Sequence, residues 1–137
     1  MDERMVTPTG IYQPPSYHHG MWAGDTLYVA GQVGRDADGN LVAPGDAAGQ
    51  ALQMFTNLGA VLDAAGVRRE DVVKLTTYLV DGADGAAVAA ERRRFFGDHR
   101  PPHTGLVVAA LGSPDVRVEI DVVVYAPHAR RAKEKSE

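Results

Sequence analysis

The 137-residue sequence contains no cysteine. That absence removes disulfide staples, thiolate nucleophiles and cysteine-ligated metal centres together, and it fits a reducing compartment, so a cytoplasmic location is expected. No apolar run approaches the roughly 20 residues that a membrane-spanning helix needs. The opening MDERMVTPTG is acidic and has no apolar core, which predicts no signal peptide and no membrane association. Positive charge is also scarce: 14 Lys and Arg stand against 18 Asp and Glu, a formal charge of -4. A polyanionic partner such as nucleic acid usually demands a basic face and is not expected here. Phosphate loops, nucleophile-elbow serines and metal-spaced sets of histidine and carboxylate are missing as well. His18 and His19 are adjacent, so on a strand they point to opposite faces and cannot easily grip one ion. The expectation is a protein with neither metal nor cofactor.

What is present describes one domain. A hydrophobic fraction of 45% and a charged fraction of 23% over 137 residues suit a single globular core, too short a chain for two. Residues 1–15, with three prolines and no periodicity, read as an irregular arm. Residues 16–127 carry the pattern of the domain, and residues 128–137 (HARRAKEKSE) read as a charged, disordered tail. Within the domain, Tyr17–Trp22 and Thr26–Val33 flank Ala23-Gly24-Asp25, a hairpin signal. The stripe Ala51, Phe55, Leu58, Leu62 and Ala65 predicts a helix over Ala47–Ala65, with Asp46 as N-cap and Gly66 as stop. Val73–Val80 is rich in β-branched residues and reads as a strand. A second helix is predicted over Ala86–Phe96, capped by Asp84 and ended by Gly97, with Val88, Arg92, Phe95 and Phe96 inward. The run Arg92-Arg93-Arg94 reads as a solvated helix end that complements the macrodipole.

The stretch Arg100–Tyr125 organises the rest. Val116, Val118, Ile120, Val122 and Val124 alternate with Arg117, Glu119 and Asp121, the period-2 signature of a strand with one buried face. Thr104–Leu111 is apolar throughout and, with a turn at Gly112–Asp115, predicts the first arm of a central hairpin covered on both sides. Pro101-Pro102 would deliver His103 to its mouth, where the ring and a carboxylate would meet. Two helices on one face of a mixed sheet leave the other face bearing Tyr28, Thr76, Tyr78, Val107, Ala109 and Leu111. Such a face predicts burial against further copies of the chain.

Several of these segments, taken in order, resemble the Rid (YjgF, RidA-like) family: Tyr17-His18-His19-Gly20, Val29-Ala30-Gly31-Gln32, the helix AGQALQMFTNLGAVLDAAG, VVKLTTYLVD, ERRRFF and RPPHTGLVVAAL with VRVEIDVVV. The likeness spans about Tyr17 to Ala126. It implies a chorismate-mutase-like α+β fold, a homotrimer built round a central β-barrel, and small-molecule sites in the clefts between subunits. The implied activity is hydrolysis of reactive imines or enamines without metal or cofactor. Residue by residue, Tyr17 matches the site tyrosine and Glu119 the glutamate that positions the attacking water. Gly105 matches the position whose carbonyl is offered to that water. Gly31 and His19 lie in the same matching segments and join the substrate-binding set. Ala30 stands for a strand serine or threonine, and Ala89 for a helix asparagine. His103 stands where the deaminases hold the substrate carboxylate with an arginine.

That last departure predicts a substrate other than a standard 2-imino acid, since a histidine lacks the bidentate fork and the permanent charge of a guanidinium. On the same grounds His103 would serve best when protonated, toward pH 6. A non-catalytic ligand-binding or chaperone-like trimer, and a tautomerase or isomerase using Tyr17, His103 and Glu119 as acid and base, are alternative readings. RNA cleavage, known among relatives, is disfavoured by the acidic balance.

Overall fold

The computed structural model describes residues 2–129. Its strands are β1 (Met5–Val6), β2 (Gly20–Ala23), β3 (Thr26–Gln32), β4 (Val72–Leu79), β5 (His103–Val107) and β6 (Val118–Tyr125), with helices α1 (Ala47–Ala65) and α2 (Gly85–Phe96). Local chemistry fixes α1 at both ends. The Asp46 carboxylate accepts a hydrogen bond from the Ala48 N–H, and Gly66, at φ 71°, turns its own N–H back to the Asp63 and Leu62 carbonyls. Its inner stripe of Ala51, Met54, Phe55, Leu58, Val61 and Leu62 is buried. α2 lies against it through stacked and edge-on rings, Phe55 to Phe95 at 5.2 Å and Phe55 to Phe96 at 6.3 Å between centroids.

The strands form one sheet in the order β1-β2-β3-β6-β4-β5. All pairs are antiparallel except β4 with β5, which run parallel because α2 carries the chain back between them. Leu27 and Val29, Leu75 and Leu79, and Val118, Ile120, Val122 and Val124 point into a single core with the two helices. The other face carries Tyr28, Val123, Asp121, Thr76, Tyr78, Glu119, Thr104 and Leu106 in lateral register. Tyr28 and Leu106 there are 55% and 44% exposed. The architecture is thus a six-stranded mixed sheet with its helices on one face, an α+β fold.

The structure departs from the expectations at several points. The hairpin over Arg100–Tyr125 does not form: β4 lies between β5 and β6, and residues 108–117 cross over it. Gln50, wholly buried on α1, pins that crossing by donating to the Asp115 carbonyl and accepting from the Arg117 N–H. β5 is therefore an edge strand, exposed along its length, and Leu106 rather than Val107 shares the open face; Ala109 and Leu111 lie in the crossing segment. The arm is not wholly irregular, because Met5 and Val6 pair with β2. Asp84 does not cap α2. Its carboxylate takes the Arg117 Nε–H at 2.9 Å, while Asp81 caps the short turn before the helix. At the other end, Pro127–Ala129 makes a helical turn and Ala129 packs on the core. The rest of the expected tail, 130–137, lies outside the described residues.

Candidate functional site

Glu119 is placed by the alternation of β6. Its even-numbered neighbours Val118 and Ile120 are buried, which turns Glu119 to the open face opposite Tyr78. Pairing of β3 with β6 slips between Val29 and Gln32, a bulge that inserts an extra residue at Ala30-Gly31. The slip carries the Gly31 backbone against the carboxylate: a Cβ built on Gly31 would stand 2.5 Å from Glu119 Oε2. Only glycine leaves room there. Arg117, two residues before it, binds Asp84 at 2.9 Å and Asp81 at 3.8 Å and not Glu119. Among the described residues Glu119 has no hydrogen bond and no ion pair. Burial, and then the neighbouring Asp121 charge, push its pKa above the ordinary glutamate value. Asp121 itself is held by the Tyr78 hydroxyl, which donates to Oδ2 at 2.8 Å.

Tyr17, 53% exposed, borders an open depression of about 410 Å³ with Tyr28 and Ala30, and a small crevice with Gly31. Tyr17, Ala30, Gly31 and Glu119 thus gather where β3 pairs with β6. His19 does not present a free ring to this group. It is 7% exposed; Nε2 donates to the Tyr12 carbonyl at 2.6 Å and Nδ1 accepts from the Gln32 amide at 3.0 Å. That pairing fixes the neutral tautomer and ties the arm to β3.

His103 lies elsewhere. It pairs with Leu75, a core residue, whereas Glu119 pairs with Tyr78 on the open face, so the expected meeting of ring and carboxylate does not occur within one chain. His103 Nε2 is 2.9 Å from Thr77 Oγ1 and 3.3 Å from Arg92 Nη1. Burial, then the Arg92 and Lys74 charges, hold its pKa below the ordinary histidine value. The ring is therefore further from protonation than in water, which reverses the expectation of a charged His103 toward pH 6. Arg92 itself is partly buried on the inner stripe of α2. Ala89 stands one helical turn before it on the same face.

Gly105 follows on β5 beneath the His103 ring, 3.3 Å from a built Cβ to Cε1. Leu75 donates to Pro102 O and Val108 to Leu79 O, so even-numbered residues of β5 bond to β4. By the alternation of a parallel ladder, the Gly105 carbonyl points to the free edge. The residue that sequence reasoning passed over is Arg92. Its place between Val88 and Phe95 in the inward stripe was the available signal. Among the described residues no group of three or more His, Asp or Glu side chains is arranged to hold a metal ion. No helix there is long and apolar enough to cross a membrane.

Comparison with known proteins places this geometry. The family model described as endoribonuclease L-PSP matches residues 10–126. A RutC family protein of Synechocystis is 39% identical over 112 residues, covering 81% of this chain and 86% of that protein. A rat 2-iminobutanoate/2-iminopropanoate deaminase is 34% identical over 108 residues, 79% of this chain and 78% of the relative. Among solved structures, RidA of an Antarctic Psychrobacter superposes with a TM-score of 0.80 at 30% identity, covering 90% of this chain and 99% of that one. The YjgF product of E. coli gives 0.80 at 29% identity, covering 90% and 98%. With the matched family model spanning most of the chain and the same mixed sheet in its structural neighbours, this protein belongs to the endoribonuclease L-PSP family, the Rid or YjgF family, whose named members include imine deaminases.

Proposed function

We propose that this protein hydrolyses reactive imines or enamines, and that its sites are completed between copies of the chain in a homotrimer. The observation that carries the reading is Glu119: a half-buried carboxylate without a counter-ion among the described residues, seated against a glycine that leaves it room, with its pKa raised above the ordinary glutamate value. Such a group suits general base and then general acid work. In imine hydrolysis Glu119 takes a proton from water as the oxygen adds to the C=N carbon, and the nitrogen is protonated. The tetrahedral carbinolamine then collapses with loss of ammonia, leaving a carbonyl. The Tyr17 hydroxyl borders the same region and is a donor for substrate, while the Gly105 carbonyl, at a free sheet edge, is an acceptor for water.

Assembly into a trimer is supported by the open sheet face and by the separation of the two groups within one protomer. A C3 ring repeats one heterologous contact, and in this reading that contact brings the Glu119 region of one copy to the His103 region of the next. The test generates 2-iminobutanoate in situ and follows ammonia and keto acid release by the purified protein and its Glu119→Gln variant, with mass measured in solution. The reading expects turnover that depends on Glu119 in a species of about three chains. Turnover undiminished in Glu119→Gln, or a folded monomer at micromolar concentration, contradicts it.

A further inference from the structure

We propose that Arg92, reaching from α2, anchors the carboxylate of the substrate in place of the arginine that position 103 lacks, so that the site accepts 2-imino acids. This rests on the hydrolase reading above. Three observations carry it. First, Arg92 Nη1 lies 3.3 Å from His103 Nε2, so a guanidinium is present beside position 103 although the residue at that position is a histidine. Second, Arg92 is partly buried and has no acidic partner among the described residues. Its neighbour Arg94 pairs with Glu91 at 2.9 Å, and Arg93 is exposed. The macrodipole accounts for those two, but not for a cation turned inward without a counter-charge. Third, Arg92, Arg93, Arg100 and His103 border a cleft of about 340 Å³ with no acidic residue in its lining.

The hydrogen bonding leaves the charge with Arg92. A guanidinium only donates, so His103 Nε2, which also faces the Thr77 hydroxyl at 2.9 Å, is the acceptor toward Arg92 and neutralises none of its charge. The remaining guanidinium N–H groups, which have no acidic partner among the described residues, are the donors for a carboxylate. The depressed histidine pKa, caused by burial and by Arg92 and Lys74, agrees with a neutral ring that accepts. Arg92 is also lowered by burial and by Arg93, as suits a cation awaiting an anion.

The test compares wild type with Arg92→Ala, Arg92→Lys and, as a control paired away from this cleft, Arg94→Ala. For 2-iminobutanoate, Arg92→Ala raises KM roughly ten- to a hundredfold, the loss typical of one charge-assisted contact, with a much smaller change in kcat. Arg92→Lys recovers part of that loss, and Arg94→Ala matches wild type. A carboxylate-free imine shows no change. Binding of 2-oxobutanoate, followed by chemical-shift titration, weakens by a similar factor in Arg92→Ala, and this arm needs no turnover. If no imine is hydrolysed, the enzyme reading fails while the 2-oxobutanoate titration still decides the role of Arg92. Unchanged 2-oxobutanoate binding in Arg92→Ala, no such binding by wild type, or an equal loss on the carboxylate-free imine overturns the proposal.

Discussion

Two regions of the sheet are built alike with opposite signs. At its centre, on β6, Glu119 is pushed up by burial and by a second carboxylate, Asp121. At the β5 edge, His103 is pushed down by burial and by two cations, Arg92 and Lys74. In each place the neighbours repeat the sign of the group they perturb instead of balancing it, so each region is electrostatically unfinished. An acidic region and a cationic region that do not meet within one chain have the opposite charges that the proposed head-to-tail contact between copies would bring together. The same difference separates roles: the first region holds a carboxyl that keeps its proton more readily than an ordinary glutamate, the second a guanidinium beside a histidine biased toward its neutral form.

The largest effect expected in the acidic region is from Glu119→Gln, which removes the proton carrier and lowers kcat by roughly 10²- to 10⁴-fold. Stability should move the other way. A carboxyl whose folded pKa is raised is favoured when neutral, so its contribution is full at low pH and is lost as pH rises through that folded value. A neutral amide escapes the loss, and the melting temperature of Glu119→Gln at pH 7 to 8 should equal or exceed that of wild type. A lower one would place Glu119 among structural residues.

Gly31→Ala attacks the same region without touching an ionisable group. Its new Cβ would meet Glu119 Oε2 at 2.5 Å, so the carboxylate must shift, and a displacement of about 1 Å commonly costs on the order of a hundredfold in rate. Circular dichroism should show the fold retained. Activity equal to wild type would mean that the position of Glu119 is unimportant. His19→Ala supplies the contrast, because His19 belongs to the fold. Losing its bonds to Tyr12 and Gln32 should cost about 1 to 3 kcal/mol in denaturant unfolding, with little change in KM.

The smallest effect is spectroscopic and belongs to the cationic region. The groups facing His103 are Arg92 from α2 and Lys74 and Thr77 from β4. Its imidazole resonances should titrate with a midpoint below the ordinary histidine value, and Arg92→Ala should move that midpoint up. Carboxylate binding should therefore not strengthen between pH 8 and pH 7, where the ring stays neutral. A midpoint above the ordinary value would restore the protonated histidine as anchor.

Much of this was legible in the sequence, for physical reasons that also mark its limits. Asp46 and Gly66 bound α1 because caps act locally, and the alternation of β6 puts Glu119 opposite a buried face whatever its neighbours are. Strand order is non-local. The run Thr104–Leu111 is apolar whether it is covered by this chain or lies at an edge, so it suggested a hairpin where a parallel edge strand stands. The bulge at Ala30-Gly31 exists only through pairing with β6 and leaves no mark beyond the glycine. In the His18-His19 doublet, nothing local says which ring is buried. Arg92 was masked by the run of three arginines, although its spacing from Val88 and Phe95 set it apart from the other two.

The central claim is that Glu119 of one copy works with Arg92 and His103 of another. Co-expression of Glu119→Gln chains with Arg92→Ala chains, each weakly active alone at low 2-iminobutanoate, tests it most directly. Random mixing in equal amounts gives about a quarter of interfaces with both native residues, and the account predicts recovery of activity in that proportion. Mixed oligomers, verified by mass, that stay as inactive as their parents would contradict it.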